Sequence, residues 1–334
     1  MKTNLLKQIA TGAVLLSLGT IAQASLSTSY QFNGKGNWSI DALGTLGTSY
    51  SLSAMIPTGS TVEKAFLYQT TQGNTTALDL TFGGTLISGS SWTNLGTTTA
   101  HSLTAFRADV TSQVAGVAGG GSGSPFTFGI LESDSFHQEG SSLVVVYSDP
   151  GESERTIALL DGFTDPAGDS TFINLVNPIS AADLSNPSFE AQMSLGIGFS
   201  AQGTGQYSTV DINGTRLSTS AGGQDDGAYS NGALISVGDT FNDNFLTNPT
   251  SAFATPSNTF TDDEAYNLKP LLTAGTSLIT IDTENPSFDD NIFFAGINIT
   301  AEATVTGNPV PTPATLPLMA FGALMLGLYR RKNK

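Results

Sequence analysis

Carboxylates and amide oxygens gather at places in this chain where a hard cation could be held. Asp225-Asp226-Gly227 follows Gly222-Gly223-Gln224, Asp239 stands three before Asn242-Asp243-Asn244, and Asp289-Asp290 comes later. Calcium takes about six to eight oxygens from carboxylates, amide carbonyls and backbone, often on loops where glycine permits the turns. Asp225, Asp226, Asp239, Asp243, Asp289 and Asp290 are therefore the candidate calcium ligands, and Ca2+ is the one cofactor they suggest. Neither glycine- nor asparagine-containing run has the EF-hand spacing with its glycine and closing glutamate. A solvated acidic surface that keeps the chain soluble accounts for the same residues. Asp282 and Glu284 read as further acids at strand ends and in loops.

Covalent and zinc chemistry find little support. His101 and His137 are the two histidines and do not form H-E-x-x-H, no G-x-S-x-G elbow occurs, and there is no cysteine. A glycoside hydrolase needs only two carboxylates, and the 28 acidic residues could supply a pair. The sequence therefore favours a non-catalytic protein, with a carbohydrate-active enzyme as the alternative. His137 beside Glu139 reads as surface loop. Trp38, Trp92 and Tyr229 could stack on sugars, but aromatics in a β-sandwich more often pack the core.

The elements that would position these residues are strands. Leu78, Leu80 and Phe82 alternate, as do Phe126, Phe128 and Ile130, and Met193, Leu195, Ile197 and Phe199. Leu143 to Tyr147 and Ile292 to Phe294 are continuous apolar runs, which predicts strands covered on both faces. Gly83-Gly84 and Asn213-Gly214 predict hairpin turns. No sustained helical period occurs between the two ends of the chain. Two halves share one order of elements. Ala65–Tyr68 corresponds to Leu195–Phe199, Leu80–Leu86 to Val210–Leu217, and Ala108-Asp109-Val110 to Tyr266-Asn267-Leu268. Phe126–Phe128 then corresponds to Leu278–Ile281, and Leu143–Tyr147 to Ile292–Ile297. Ile212 to Leu268 is twice the span from Phe82 to Val110, so the second half carries an acidic insertion at about 218–262. The fold class expected is all-β: two β-sandwich units over 25–165 and 166–306, joined near 162–172. Asp109-Val110-Thr111 and Ile212-Asn213-Gly214 resemble the layout of jelly-roll, galactose-binding-like modules, which implies a fold and no ligand.

The two ends differ from this passenger. Lys2 and Lys7, the apolar stretch Ala10–Ile21 and the small-x-small Ala22-Gln23-Ala24 predict a signal helix over 1–24, cleaved before Ser25. At the other end Val310-Pro311-Thr312-Pro313 precedes an apolar run, Ala314 to Tyr329, and then Arg330-Arg331-Lys332. As a helix that run reaches about 24 Å, short of a hydrocarbon core of about 30 Å. The cations behind it predict a cytoplasmic terminus with the passenger outside.

Motif, apolar stretch and basic stop over 309–334 together resemble the PEP-CTERM sorting signal of exported proteins in Gram-negative bacteria. Thr312 stands where the namesake motif has glutamate, which leaves open which sorting enzyme reads the tail. The resemblance implies recognition and processing by an exosortase, transient inner-membrane anchoring through the C-terminal hydrophobic helix, and delivery to the cell envelope, surface or extracellular matrix. It also implies an exopolysaccharide setting, so exopolysaccharide or other matrix components are the expected partners.

Charge bounds those partners further. Residues 25–309 keep six of the 12 basic residues against all 28 acidic ones, a net charge of −22. Phosphate binding needs clustered Lys and Arg, so nucleic acid is excluded as a natural partner.

Overall fold

Runs rich in Val, Ile, Phe and Thr, cut by glycine turns, form antiparallel strands through most of the described residues. The computed structural model describes residues 26–97, 102–134, 136–164, 168–200, 208–221, 234–238, 240, 264–286 and 291–307. The expected signal segment with Ala22 and Ala24, and the tail with Val310–Pro313 and Arg330–Lys332, lie outside them. Among the described residues no helix is long and apolar enough to cross a membrane.

The first part of the chain runs β1 (Ser27–Gly44), β2 (Ser49–Met55), β3 (Thr61–Thr71), β4 (Leu80–Phe82), β5 (Thr85–Ile87), β6 (Thr93–Thr97), β7 (Thr104–Asp109), helix α1 (Thr111–Ala118), β8 (Pro125–Glu132) and β9 (Gln138–Ser148). The second runs β10 (Glu154–Asp161), β11 (Asp169–Leu175), the short helix α2 (Ala181–Ser185), β12 (Ala191–Ser200), β13 (Ser208–Ile212), β14 (Thr215–Ala221), β15 (Leu234–Val237), β16 (Ala265–Asn267), β17 (Leu278–Glu284), β18 (Asn291–Ile299) and β19 (Ala303–Gly307).

Three antiparallel sheets result. The largest has ten strands in the order β15-β12-β18-β10-β1-β9-β3-β7-β6, with β16 also paired to β12. A five-stranded sheet runs β14-β13-β17-β11-β19, and a four-stranded sheet runs β2-β8-β4-β5. One pairing order occurs twice. β1-β9-β3-β7 is matched by β10-β18-β12-β16, and β2-β8-β4-β5 by β11-β17-β13-β14.

β1 is the crease of the large sheet. Its first part, Ser27–Lys35, pairs with β10, and its second part, Gly36–Gly44, pairs with β9. The change of partner falls where only glycine fits, because a Cβ on Gly36 would lie 2.2 Å from the Tyr147 carbonyl oxygen. β10 lies ahead of the 165/166 boundary expected from sequence, and its neighbours are β1 and β18.

The two halves of the large sheet meet face to face. Trp38, Ile40, Tyr68, Val144 and Val146 from one half pack with Ile157, Leu159, Phe293 and Phe294 from the other. The opposite face of the β9 side packs on the four-stranded sheet through Leu67, Phe82, Phe106, Phe128 and Leu143. The opposite face of the β18 side packs on the five-stranded sheet through Met193, Leu195, Ile212, Ile281 and Ile297. Leu143 to Val146 are each 0% exposed because their strand is covered on both sides, as the unbroken apolar run predicts. β8 lies in an outer layer, and its residues alternate between exposed and buried.

The turns behave as their residues require. Gly83-Gly84 has φ of 55° and 82°, and Asn213-Gly214 has 51° and 73°, so both hairpins carry positive φ at both central residues. Helix α1 departs from the expectation of no helix. Its start is fixed by Asp109, whose Oδ1 accepts from the Thr111 N–H at 3.0 Å and the Thr111 hydroxyl at 2.6 Å. Val114 and Ala118 are its only buried residues, and one such i, i+4 pair is too short a period to stand out in the sequence.

Candidate functional site

The Asn213-Gly214 hairpin brings Asp211 of β13 opposite Arg216 of β14. The pair is bidentate, with Arg216 Nε donating to Oδ1 at 2.6 Å and Nη2 to Oδ2 at 3.2 Å. On the other side of β13, Asp211 faces Asp282 of β17, and Asp282 in turn faces Ser170 of β11. The Ser170 hydroxyl donates to Asp282 Oδ1 at 2.5 Å. Ser170, Asp282, Asp211 and Arg216 thus form one row across the outer face of the five-stranded sheet, because inward positions such as Ile212, Ile281 and Ile173 fill the core beneath.

The row borders a shallow cleft of about 230 Å³ that Asp169 and Glu284 also line, together with Thr209 and Thr283. One step along the same face, Thr306, Phe172 and Thr280 form the next row. Phe172 is half-buried, so part of its side chain stays open to solvent. The face therefore joins an aromatic platform to fixed carboxylates, a guanidinium and hydroxyls. Carboxylate oxygens accept hydrogen bonds from hydroxyl groups, and an aromatic face receives the C–H side of a pyranose. Such a constellation suits an uncharged or cationic polyol more than an anion.

Two carboxyls elsewhere are held above the usual carboxylate range. Glu132, at the end of β8, is pushed up to about 7 by burial. Its Oε1 accepts from the Tyr50 hydroxyl at 2.7 Å, and the Tyr50 and Ser141 hydroxyls are 2.6 Å apart. Asp161, at the end of β10, is raised by burial against the opposing pull of Arg107. It accepts from Arg107 Nη1 at 2.5 Å and from the Tyr68 hydroxyl at 3.1 Å. Both acids are 5% exposed or less, and neither lines the cleft. They serve the packing of strands.

All six candidate calcium ligands (Asp225, Asp226, Asp239, Asp243, Asp289 and Asp290) lie outside the described residues, as do His101 and Tyr229. His137 sits in the surface loop expected for it and pairs through Nδ1 with Asp134 at 2.8 Å. Trp38 and Trp92 are core residues at 5% and 9% exposure. Asp282 departs from its expected place in a loop or strand end, because it lies inside β17 and faces outward. Sequence reasoning missed Phe172 and the row beside it. One signal was present, since Asp211 and Arg216 bracket a two-residue turn and must face each other. The meeting of Asp211 with Asp282 depends on the pairing of two distant strands and had no local signal. No protein-family model matches this chain, and no curated protein sequence does.

Proposed function

We propose that this chain is an exported, non-catalytic cell-surface or matrix protein that binds exopolysaccharide or a related matrix glycan. The observation that carries the glycan reading is the outer face of the five-stranded sheet, where Phe172 lies beside the row Ser170, Asp282, Asp211 and Arg216. The passenger is read as two related jelly-roll-like sandwich units. The repeated pairing order supports that reading, and the turn at 149–153 between β9 and β10 is where one order ends and the next begins. Export and sorting rest on the end segments, with an exosortase-type enzyme as the partner of the tail.

Binding of the mature protein to exopolysaccharide from a producing bacterium tests the reading. Phe172→Ala and Asp282→Asn should each weaken binding by roughly ten-fold, about 1.4 kcal/mol, without shifting the melting temperature by more than a few degrees. Unchanged affinity in both variants would remove this face from the proposal, and hydrolysis of the glycan would replace binding by catalysis. A calcium titration of the same protein tests the acidic loops. Calcium at about 100 times its dissociation constant should add about 2.7 kcal/mol of stability if they are ligands. A melting temperature indifferent to calcium identifies them as solvated surface.

Deleting 310–334 is expected to leave the passenger unprocessed in the periplasm or medium. If wild-type cells instead keep the tail on the mature protein in the inner membrane, the processing step is wrong.

A further inference from the structure

One cation of the passenger stands beside the cleft of the five-stranded sheet, and it is already matched. Residues 25–309 contain six cations: Lys35, Lys64, Arg107, Arg155, Arg216 and Lys269. Lys64 pairs with Asp109, Arg107 with Asp161, and Arg155 with Glu152 and Glu190. Lys35 stands opposite Glu154 in the pairing of β1 with β10. Lys269 Nζ donates to the carbonyls of Asn186 and Phe189 at 2.6 and 3.1 Å. Arg216 is the cation beside the cleft, and both of its bonds go to Asp211. Asp282 and Glu284 also line the cleft, two residues apart on the outward side of β17. None of the six cations pairs with either of them. The segment 218–262 that follows β14 contains no lysine or arginine and can add none. Two carboxylates of the cleft are therefore left to a cation from outside the chain.

Their placement relative to Phe172 bears on what that cation is attached to. Phe172 of β11 pairs with Thr280 of β17, which makes Asp282 its diagonal neighbour on the same face. Such neighbours lie about 7–8 Å apart, within reach of an aromatic side chain. Glu284 follows about 7 Å further along β17, at two residues of strand rise. The number of oxygens bears on the kind of cation. Calcium takes about six to eight, and among the described residues no group of three or more His, Cys, Asp or Glu is placed to hold a metal. A primary ammonium has three N–H donors and needs only as many acceptors. The Ser170 hydroxyl holds Asp282 through Oδ1, which leaves Oδ2 for such a donor.

We infer, on the footing that this face binds glycan as proposed above, that its ligand is an amino-sugar polymer whose hexosamine units carry free, protonated amines instead of N-acetyl groups. A pyranose resting its C–H side on Phe172 turns an edge toward Asp282, and a chain running along β17 continues to Glu284. The two carboxylates receive ammonium groups of the polymer through charge-assisted hydrogen bonds. The Asp211–Arg216 pair closes the row without adding net charge. The passenger's charge of −22 acts in the same sense, because it draws a polycation toward the surface and repels acidic polysaccharides.

Two oligosaccharides of one backbone and one length, β-linked glucosamine and its fully N-acetylated form, separate the amine from the sugar. Titrated calorimetrically into the mature protein at low salt, the glucosamine oligomer should bind roughly ten-fold more tightly. The gap should narrow as ionic strength rises. Asp282→Asn with Glu284→Gln should erase the preference. Glu63→Gln with Glu154→Gln, which removes equal charge from the large sheet, should leave it in place. Equal binding of the two oligomers, lost together in Phe172→Ala, overturns the amine and keeps the glycan. A preference that survives the loss of Asp282 and Glu284, or that falls as far in the control pair, also overturns it, since the whole acidic surface would then be the cause. A lysine oligomer of the same length bound as tightly as glucosamine overturns it and assigns the cleft to a basic peptide. If neither oligomer nor exopolysaccharide binds, glycan binding itself falls, and the amino sugar with it.

Discussion

Glu132→Gln is expected to raise the stability of this protein at pH 8 by up to about 3 kcal/mol and to leave it nearly unchanged at pH 4. The folded protein holds the Glu132 proton up to about pH 7, against an ordinary value of 4.5. Burial is the main cause, the charge of Asp134 adds to it, and hydrogen bonds from Tyr50 and the Gly140 N–H oppose it. Between these two values the folded chain binds more protons than the unfolded chain, so stability falls as pH rises. The contribution is fully present below 4.5 and is lost as pH passes through 7. A difference of roughly two and a half units at 1.36 kcal/mol each gives the figure of about 3.

Glutamine keeps an oxygen for the Tyr50 hydroxyl and has no charge to bury. At roughly 2 °C per kcal/mol for a chain of this size, the variant should melt up to about 6 °C higher at pH 8. Melting temperatures of both proteins from pH 4 to 9 give the comparison. Parallel curves would mean that Glu132 ionises freely and that its enclosure is not a barrier to water.

The parts of this architecture that were legible are those written in one stretch of chain. Leu143 to Val146 spells an inner strand because both of its faces are covered. Phe126, Phe128 and Ile130 spell an outer strand because only one is. The two glycine hairpins could be read for the same reason, since a two-residue turn with positive φ accepts few other residues. The crease in β1 could not be read. Gly36 is one of 37 glycines, and what makes it necessary is the Tyr147 carbonyl, which arrives from a distant strand.

Visibility of the candidate site divides along the same line. Asp211 and Arg216 are five positions apart around Asn213-Gly214, and their pairing follows from the turn. Phe172 and Asp282 join them only through the order β13-β17-β11, which no local pattern announces. Sequence reading therefore drew attention to acids crowded in loops, where density is visible. It passed over acids spaced along strands, where adjacency is made by the fold. The outer face of the four-stranded sheet makes the same point. Leu131 and Leu86 look like ordinary strand residues until β17 and β14, which hold the same places in the repeated pairing order, prove to carry Asp282 and Arg216 there.

Asp161→Ala should cost about 3 kcal/mol, the low end of what is lost when one partner of a buried ion pair is removed. Asp161 stands on β10, while Arg107 and Tyr68 stand on β7 and β3, so the cluster spans the seam where the two halves of the large sheet meet. The Arg107 side chain is 20% exposed and that of Asp161 is 6%, which keeps the pair short of full burial and argues for the lower figure. Arg107 also lies 4.5 Å from the Phe66 ring centroid, and Tyr68 packs 5.1 Å from Phe294 and 5.8 Å from Phe293. Removing the carboxylate leaves a guanidinium and a phenol hydroxyl in that setting without their acceptor. The loss should appear as a fall of roughly 6 °C in melting temperature.

Replacing both ends, with Arg107→Met and Asp161→Leu, should recover more than half of it, because no charge then remains to be desolvated. The contrast between single and double variants is the informative measurement. If the double variant melts as low as Asp161→Ala, the seam depends on the ion pair itself and not merely on its being matched. If Asp161→Ala melts with the wild type, water already reaches Arg107, and the aromatic packing of Trp38, Tyr68, Phe293 and Phe294 holds the halves together unaided.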